Sequence, residues 1–176
     1  MQMIDEKQPV RREFSAGGCV YKRDGDRVVW LIGKHSGYHK WVLPKGLIEL
    51  GERGVETALR EVWEEMGVKA RLVEEKPIHA LKYVYWANFG TSSTSRTGAP
   101  ERRVIQYQEA GGVKTKVFKQ VSFYLMEYES GDPAHHDWEM EEAGWYPFEE
   151  AMKLLAFEGE REALRKAQSK LLEIDR

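Results

Sequence analysis

The chain has 176 residues, of which 41% are hydrophobic and 32% charged, and a formal net charge of −2 at pH 7. This composition is typical of one globular domain with a sizeable core, and we predict a single domain over residues 1–176. The near-neutral charge argues against a general nucleic-acid coat or a polybasic membrane anchor. The longest apolar run, residues 28–32, is too short to cross a bilayer, and residues 1–12 are mixed in charge. We therefore expect a cytoplasmic protein with no membrane partner.

The first predicted elements are two strands and a turn. Residues 13–22 and 27–33 are separated by an Asp-Gly-Asp sequence, which favours a tight turn at Gly25. Residues 35–44 follow as a loop that contains glycine and proline. The sheet is therefore predicted to begin with a hairpin.

A helix is predicted next, because apolar residues recur at helical spacing. The stripe is formed by Val55, Leu59, Val62 and Met66. Gly67 follows the last of them, where a left-handed glycine commonly ends a helix. Charged residues are left on the opposite face.

The rest of the chain is predicted to alternate between strands and loops and to end in helices. Strands are expected at 70–74, 78–89, 102–108 and 117–128, and helices at 149–157 and 160–174. Residues 90–100 have the composition of a surface loop. Periodicity alone predicts an α/β or α+β domain.

Three glutamates lie on the charged face of the predicted helix. Glu61, Glu64 and Glu65 are spaced i, i+3 and i+4, so their carboxylates can converge on one cation. A solvated charged face is the usual explanation of such a pattern. Crowded like charges on a helix are nevertheless unfavourable, and a divalent metal would reverse that effect.

These glutamates belong to a longer pattern, G-x5-E-x7-R-E-U-x-E-E-x-G-U, that resembles the Nudix box. Its fixed positions are filled by Gly46, Glu52, Arg60, Glu61, Val62, Glu64, Glu65, Gly67 and Val68. The flanking segments Trp41-x-Leu43-Pro44-Lys45, Lys119-x-Val121-x-Phe123 and Glu142-Ala143-Gly144-Trp145 extend the likeness over about residues 12–150. The complete spacing outweighs the explanation by a solvated face.

The resemblance to Nudix hydrolases implies an α/β fold, namely an α/β/α sandwich with a central mixed β-sheet. The core would span about residues 12–150 and the C-terminal helices about 149–174. It also implies an enzyme that cleaves phosphoanhydride bonds with Mg²⁺, for which Mn²⁺ is a possible substitute. Magnesium prefers hard oxygen ligands and takes few carboxylates per ion, so more than one ion is reasonable.

The resemblance assigns roles to four glutamates. Glu61 and Glu65 would be metal ligands, and Glu52 would be the outer carboxylate of the catalytic group. Glu64 would be either a further ligand or the base that takes a proton from the attacking water. A late acidic residue joins the metals in many relatives, and Glu142 is our candidate. An exposed acidic loop before Trp145 is the alternative.

Two further residues of the box are expected to support the site. Arg60 lies four residues from both Glu56 and Glu64, so its guanidinium could hold a carboxylate by a forked pair of hydrogen bonds. An ordinary surface ion pair is the alternative. Gly46 would let the loop backbone approach the metal closely, because glycine has no side chain in the way.

Four residues are candidates for binding the substrate. Lys45 and Lys119 occur where relatives contact phosphates, Arg103 lies in a basic stretch, and Tyr83 could stack on a base. The alternatives are a solvated basic loop and a core tyrosine.

The function expected from this resemblance is hydrolysis of a nucleoside diphosphate linked to another group, such as the dinucleoside polyphosphate diadenosine tetraphosphate. The alternatives are a house-cleaning nucleoside triphosphate pyrophosphatase and an RNA 5′-cap pyrophosphohydrolase, with RNA a partner only as a capped substrate. A non-catalytic nucleotide-binding regulatory module is the alternative of another class. The sequence is compatible with a monomer or a homodimer.

Overall fold

Eight strands and three α-helices occur in the residues that the computed structural model describes, 10–89 and 113–176. The strands are β1 Val10–Asp24, β2 Arg27–His35, β3 Trp41–Val42, β4 Lys45–Leu47, β5 Val68–Leu72, β6 His79–Phe89, β7 Val113–Gly131 and β8 Met140–Pro147. The helices are α1 Gly54–Met66, α2 Phe148–Leu154 and α3 Glu158–Ile174. None of the helices in these ranges is long and apolar enough to span a membrane.

The strands form one sheet with the order β3-β2-β1-β7-β5. Strand β4 pairs with β1, β6 with β7, and β8 with β2. The predicted hairpin is confirmed, because β1 and β2 pair antiparallel up to Asp24 and Arg27 around a turn at Gly25, whose φ is 60°. A positive φ of this kind suits glycine.

The chain divides into two compact units. The larger consists of Phe14–Leu81 and Gln120–Arg176, and it contains all three helices named above. The smaller combines Met1–Glu13 with Lys82–Lys119. The single domain expected from chain length stays a prediction.

Two apolar layers in the larger unit explain its α/β/α arrangement. Successive strand residues point to opposite faces of a sheet. On β2, Trp30 and Ile32 belong to the cluster that includes residues of α2 and α3, whereas Leu31 belongs to the cluster that includes residues of α1. The predicted α/β/α sandwich is confirmed.

Helix α1 lies over the sheet through the predicted stripe. Val62 and Met66 are fully buried, and a Cβ at Gly18 or Gly33 would clash with their side chains. The helix ends at Gly67, which has a φ of 67° and donates its N–H to Trp63 O at 3.0 Å. Helix α1 therefore contains the whole predicted stripe and ends at the predicted glycine.

Three strands, β3, β4 and β8, were not predicted. The short strand β3 lies within the predicted loop at 35–44, and β8 contains Glu142, which was expected on a loop. Strand β8 pairs antiparallel with β2, with Glu142 opposite Lys34. The acidic sequence of β8 has no clear alternation, and its pairing with the central strand β2 decides its conformation. The loop expected at 90–100 and the strand at 102–108 lie outside the described residues.

Candidate active site

The segment before the glutamate helix is fixed against β1. Strand β4 pairs antiparallel with β1, and Pro44 O accepts a hydrogen bond from Gly18 N at 3.1 Å. A Cβ at Gly17 would clash with Pro44 O and with Lys45. Only a glycine at position 17 lets the two backbones lie this close, so the sequence itself sets the path of the chain toward Gly46.

Arg60 gathers three carboxylates at the charged face of α1. Its Nε and Nη2 donate to the two oxygens of Glu52 at 2.8 and 2.9 Å. Its Nη1 donates to Glu61 at 2.5 Å and to Glu64 at 3.0 Å. The Arg60 side chain is only 24% exposed, so these pairs are partly shielded from water. We call these four residues the Arg60 network.

The forked pair expected of Arg60 is present, but its partner is Glu52. Glu64 makes a single contact with Arg60, and Glu56 instead accepts hydrogen bonds from Arg53 N at 2.8 Å and Arg53 Nε at 3.2 Å. Helical spacing suggested Glu56 and Glu64, whereas the loop before α1 brings Glu52 back over the helix. Helical spacing alone therefore did not identify the forked partner of Arg60, which is Glu52.

Glu52 is held as a carboxylate by several donors. Besides Arg60, Thr57 Oγ1 donates to it at 2.6 Å and Glu49 N at 3.2 Å. The hydrogen bonds from Arg60, aided by those from Thr57 and Glu49, lower the pKa of Glu52 from 4.5 to about 2. Glu52 therefore stays negative and anchors the guanidinium.

Glu65 has the opposite environment. It is 6% exposed, and its Oε2 accepts a hydrogen bond from Lys45 N at 3.0 Å. Burial raises the pKa of Glu65 well above 4.5, and the charges of Glu61 and Glu139 add to this effect, while Lys45 opposes it. A buried carboxylate of this kind is stabilised either by a proton or by a cation.

Gly46 lies directly against the Glu61 carboxylate. A Cβ at Gly46 would overlap the carboxyl atoms of Glu61. The close approach expected at this glycine is present, and the group that lies close is a predicted metal ligand. Its role toward a metal stays a prediction.

The residues suit a divalent metal chemically, although they are not arranged as an assembled site. Within residues 10–89 and 113–176, no group of three or more Asp, Glu, His or Cys side chains has the geometry of a metal site. Arg60 draws Glu61 and Glu64 toward itself. The donors are hard carboxylate oxygens, and the buried Glu65 would gain from a nearby cation. The metal roles of these residues stay predictions.

Glu142 makes its contacts on β8. Its Oε1 accepts a hydrogen bond from Tyr146 OH at 3.1 Å. Among the described residues, the hydrogen bonds of Arg60 do not include Glu142. Glu139, in the segment before β8, adds to the raised pKa of Glu65, after the larger effects of burial and of Glu61. The metal role of Glu142 stays a prediction.

Lys45 makes an ion pair that the sequence did not predict. Its Nζ lies 2.8 Å from Glu160 Oε1, and Glu160 is 2% exposed. A signal was present, because Glu160 falls on the apolar stripe that continues with Leu164, Ala167 and Leu171. A charged residue at a core position of a helix normally has a specific partner.

The remaining substrate candidates belong to the smaller unit or lie outside the described residues. Lys119 Nζ is 4.0 Å from Glu13, which is buried and also accepts a hydrogen bond from Tyr85 OH at 2.8 Å. Tyr83 is 40% exposed, and its ring centroid is 6.1 Å from that of Tyr85. Arg103 lies outside the described residues, and all three substrate roles stay predictions.

An α/β/α sandwich whose helix α1 carries most of the Nudix-box pattern, with Arg60 bonded to Glu52, Glu61 and Glu64, has the architecture of a Nudix domain. The model of the NUDIX domain matches residues 11–167. The chain belongs to the NUDIX family.

Three curated relatives differ in how much of the chain they match. Identity is 35% over 156 residues with the "putative mutator protein MutT4" of Mycobacterium tuberculosis, covering 85% of this chain and 52% of that protein. The "RNA pyrophosphohydrolase" of Psychrobacter cryohalolentis is 26% identical over 136 residues, 74% of this chain and 70% of that protein. The asymmetrical "bis(5'-nucleosyl)-tetraphosphatase" of Mus musculus is 44% identical over 52 residues, 29% of this chain and 35% of that protein. The chain spans about half the length of the mycobacterial relative.

A solved structure supports the fold. The crystal structure of the Caenorhabditis elegans Ap4A hydrolase superposes with a TM-score of 0.58 at 20% identity, covering 90% of this chain and 98% of that one. The likeness at this identity concerns the fold.

Proposed function

We propose that this chain hydrolyses a pyrophosphate bond in a nucleoside diphosphate linked to another group, with a dinucleoside polyphosphate such as diadenosine tetraphosphate as the preferred substrate. The observation that carries the proposal is the Arg60 network next to the buried Glu65. It brings a proton acceptor and hard oxygen ligands to one face of α1. We further propose that Mg²⁺ is the preferred ion, that Mn²⁺ can replace it, and that the chain acts in the cytoplasm.

Anionic oxygens around a pyrophosphate repel an attacking water, and this repulsion is the main obstacle to hydrolysis. A bound divalent ion would neutralise that charge and acidify the water. Glu61 and Glu65 would hold the ion together with Glu64, unless Glu64 acts as the base, and Gly46 would let the backbone approach it.

The chain's own residues would then prepare the attack. Glu64 would accept a proton from water at a carboxylate oxygen, while Arg60 Nη1, 3.0 Å from Glu64 Oε2, limits its orientation. Glu52 keeps the guanidinium in place through two hydrogen bonds. Lys45 would contact a phosphate through its ammonium, because this residue immediately precedes Gly46 in the chain.

The relatives support more than one substrate. The name of the mouse relative supports a dinucleoside tetraphosphate, although it matches only 52 residues. The RNA pyrophosphohydrolase matches 136 residues at lower identity and supports attack on an RNA 5′ end as the second candidate. A regulatory module without hydrolysis is disfavoured, because every glutamate of the box is present.

The proposal is tested by incubating the protein in ¹⁸O-water with Mg²⁺ and separate substrates: diadenosine tetraphosphate, nucleoside triphosphates, nucleotide sugars and 5′-capped RNA. Mass spectrometry identifies the products and the phosphorus that received the oxygen. We expect fastest turnover of diadenosine tetraphosphate, which splits into a triphosphate and a monophosphate. A parallel reaction in Mn²⁺ tests metal replacement, and one in excess chelator tests the metal requirement.

The outcomes separate the candidates. Faster turnover of capped RNA or triphosphates would show that the proposed substrate is wrong and that the proposed pyrophosphohydrolase activity is right. Metal-dependent binding without any product would show that the chain binds nucleotides and does not hydrolyse them. Equal turnover in excess chelator would contradict the role of the glutamates as metal ligands.

A further inference from the structure

Glu160 is a buried carboxylate with both oxygens in use. Oε2 accepts a hydrogen bond from Leu43 N at 2.8 Å, and Oε1 lies 2.8 Å from Lys45 Nζ. Glu160 belongs to the first turn of α3, more than a hundred residues along the chain from these partners. The carboxylate therefore connects the C-terminal helix to the segment that leads into Gly46.

Stability alone is a weak explanation for this ion pair. Replacing a buried ion pair by apolar side chains is often neutral or stabilising, because removing both charges from water is costly. The neighbouring positions on the same stripe of α3, Leu164 and Ala167, are fully buried and apolar. An apolar residue at position 160 would extend this stripe, so the retained charge indicates another role.

The other end of the pair lies beside the predicted metal ligands. The backbone N of Lys45 donates to Glu65 at 3.0 Å, and the next residue, Gly46, lies against Glu61. An ammonium has three donors. Among the described residues, Lys45 Nζ has two acceptors, Glu160 at 2.8 Å and Leu43 O at 3.4 Å. The Lys45 side chain is 22% exposed, so these two acceptors do not enclose it completely.

We infer that Glu160 is a positioning residue, which holds the Lys45 ammonium at the place where it meets the phosphate chain of the substrate. A lysine side chain has four rotatable bonds and loses much rotamer freedom when it is ordered. The ion pair with Glu160 orders the Lys45 side chain before the substrate binds. Binding therefore loses less conformational entropy. The inference rests on the proposed function for the identity of the substrate.

Other contacts hold the segment before Lys45 in place, so the Glu160 side chain can be changed without releasing it. Ala156 N donates to Trp41 O at 3.1 Å, and Gly18 N donates to Pro44 O at 3.1 Å. These contacts do not involve Glu160, so Glu160→Gln leaves the backbone of the segment held from both sides. The amide oxygen of glutamine can still accept the hydrogen bond from Leu43 N.

The test is a double-mutant cycle with Glu160→Gln, Lys45→Met and the double variant. The readouts are the Kd of a methylene-bridged, non-hydrolysable diadenosine tetraphosphate with Mg²⁺, measured by calorimetry, and KM and kcat for the natural compound. Glu162→Gln is the matched control, since Glu162 lies on the same helix and is 42% exposed. Thermal unfolding reports whether each variant is folded.

We expect each single variant to raise Kd and KM about tenfold, with a much smaller change in kcat. The double variant should show about the same tenfold loss, because Glu160 acts through Lys45. The control should bind as the wild type does. A purely structural role would not make the loss at Glu160 depend on Lys45.

The inference is overturned if the double variant shows the product of the two single losses, or if Glu160→Gln binds with wild-type affinity. Should Glu160→Gln fail to fold, the double variant is compared with Lys45→Met, and any further loss of affinity overturns the inference. Wild-type protein that binds the analogue without hydrolysing the natural compound would refute the proposed function and leave this test intact. No binding by the wild type would overturn both.

Discussion

Helices α1 and α3 both carry an arginine beside glutamates at helical spacing, but the two clusters differ in burial. Arg60 is 24% exposed and contacts Glu52, Glu61 and Glu64. Arg165 is 43% exposed and contacts Glu158 and Glu162, whose side chains are 63% and 42% exposed. Sequence spacing makes the two clusters look alike.

The difference arises from one residue outside the helix. Glu52 precedes α1 and makes the forked pair with Arg60, whereas both partners of Arg165 belong to α3 itself. Exposed ion pairs contribute little to stability, while partly buried charges are costly when a partner is removed. Local spacing therefore predicts which residues make contact, whereas tertiary structure decides how much the contact contributes to stability.

The largest expected effect concerns Glu64 on α1. Glu64→Gln removes the proposed proton acceptor and keeps the shape of the side chain, so turnover should fall by roughly 10²–10⁴-fold with the fold intact. Steady-state kinetics and circular dichroism measure the two quantities. Glu162→Gln, on the exposed cluster of α3, should turn over substrate at the wild-type rate. Unchanged turnover in folded Glu64→Gln would remove this residue from the mechanism.

A smaller effect is expected when the central arginine of each cluster is replaced. Arg60→Met leaves three carboxylates without their common partner, so the free energy of unfolding should fall by about 2 kcal/mol. Adding Mg²⁺ should restore part of this loss if the carboxylates bind the ion. Arg165→Met should unfold at the same urea concentration as the wild type. Equal losses in the two variants would show that burial does not distinguish the clusters.

The smallest effect concerns the pH dependence contributed by Glu52. Because its pKa is lowered from 4.5 to about 2, its stabilising contribution is full above pH 4.5 and is lost as the pH falls through 2. The wild type should exceed Glu52→Gln in unfolding free energy by on the order of 1 kcal/mol near neutral pH, because water screens this partly exposed pair, and the difference should shrink in acid. Urea denaturation at several pH values measures it. A difference that grows on acidification would contradict the lowered pKa.

The sequence predicted best where a local pattern and the tertiary structure agree. The stripe through Val62 and Met66 repeats at helical spacing and is also the buried face of α1. Gly67 ends the helix with a left-handed φ, as its position after the stripe indicated. The resemblance to the Nudix family then supplied the α/β/α arrangement, which periodicity alone could not.

Features that depend on distant pairing were missed. Strand β8 forms on β2, and its own residues do not alternate clearly between polar and apolar. The forked partner of Arg60 lies eight residues away, beyond the helical neighbours that spacing suggested. Glu160 gave a visible signal on an apolar stripe, but its partners Leu43 and Lys45 are far away in sequence.

The contact between Gly46 and Glu61 has a consequence for protein engineering. A methyl group at position 46 would overlap the Glu61 carboxylate, which ends a flexible side chain and can turn aside while Arg60 keeps its bonds to Glu52 and Glu64. The damage would fall on the direction of the carboxylate oxygens. Selection for soluble and heat-stable variants would therefore retain changes at Gly46 that a selection for turnover would discard.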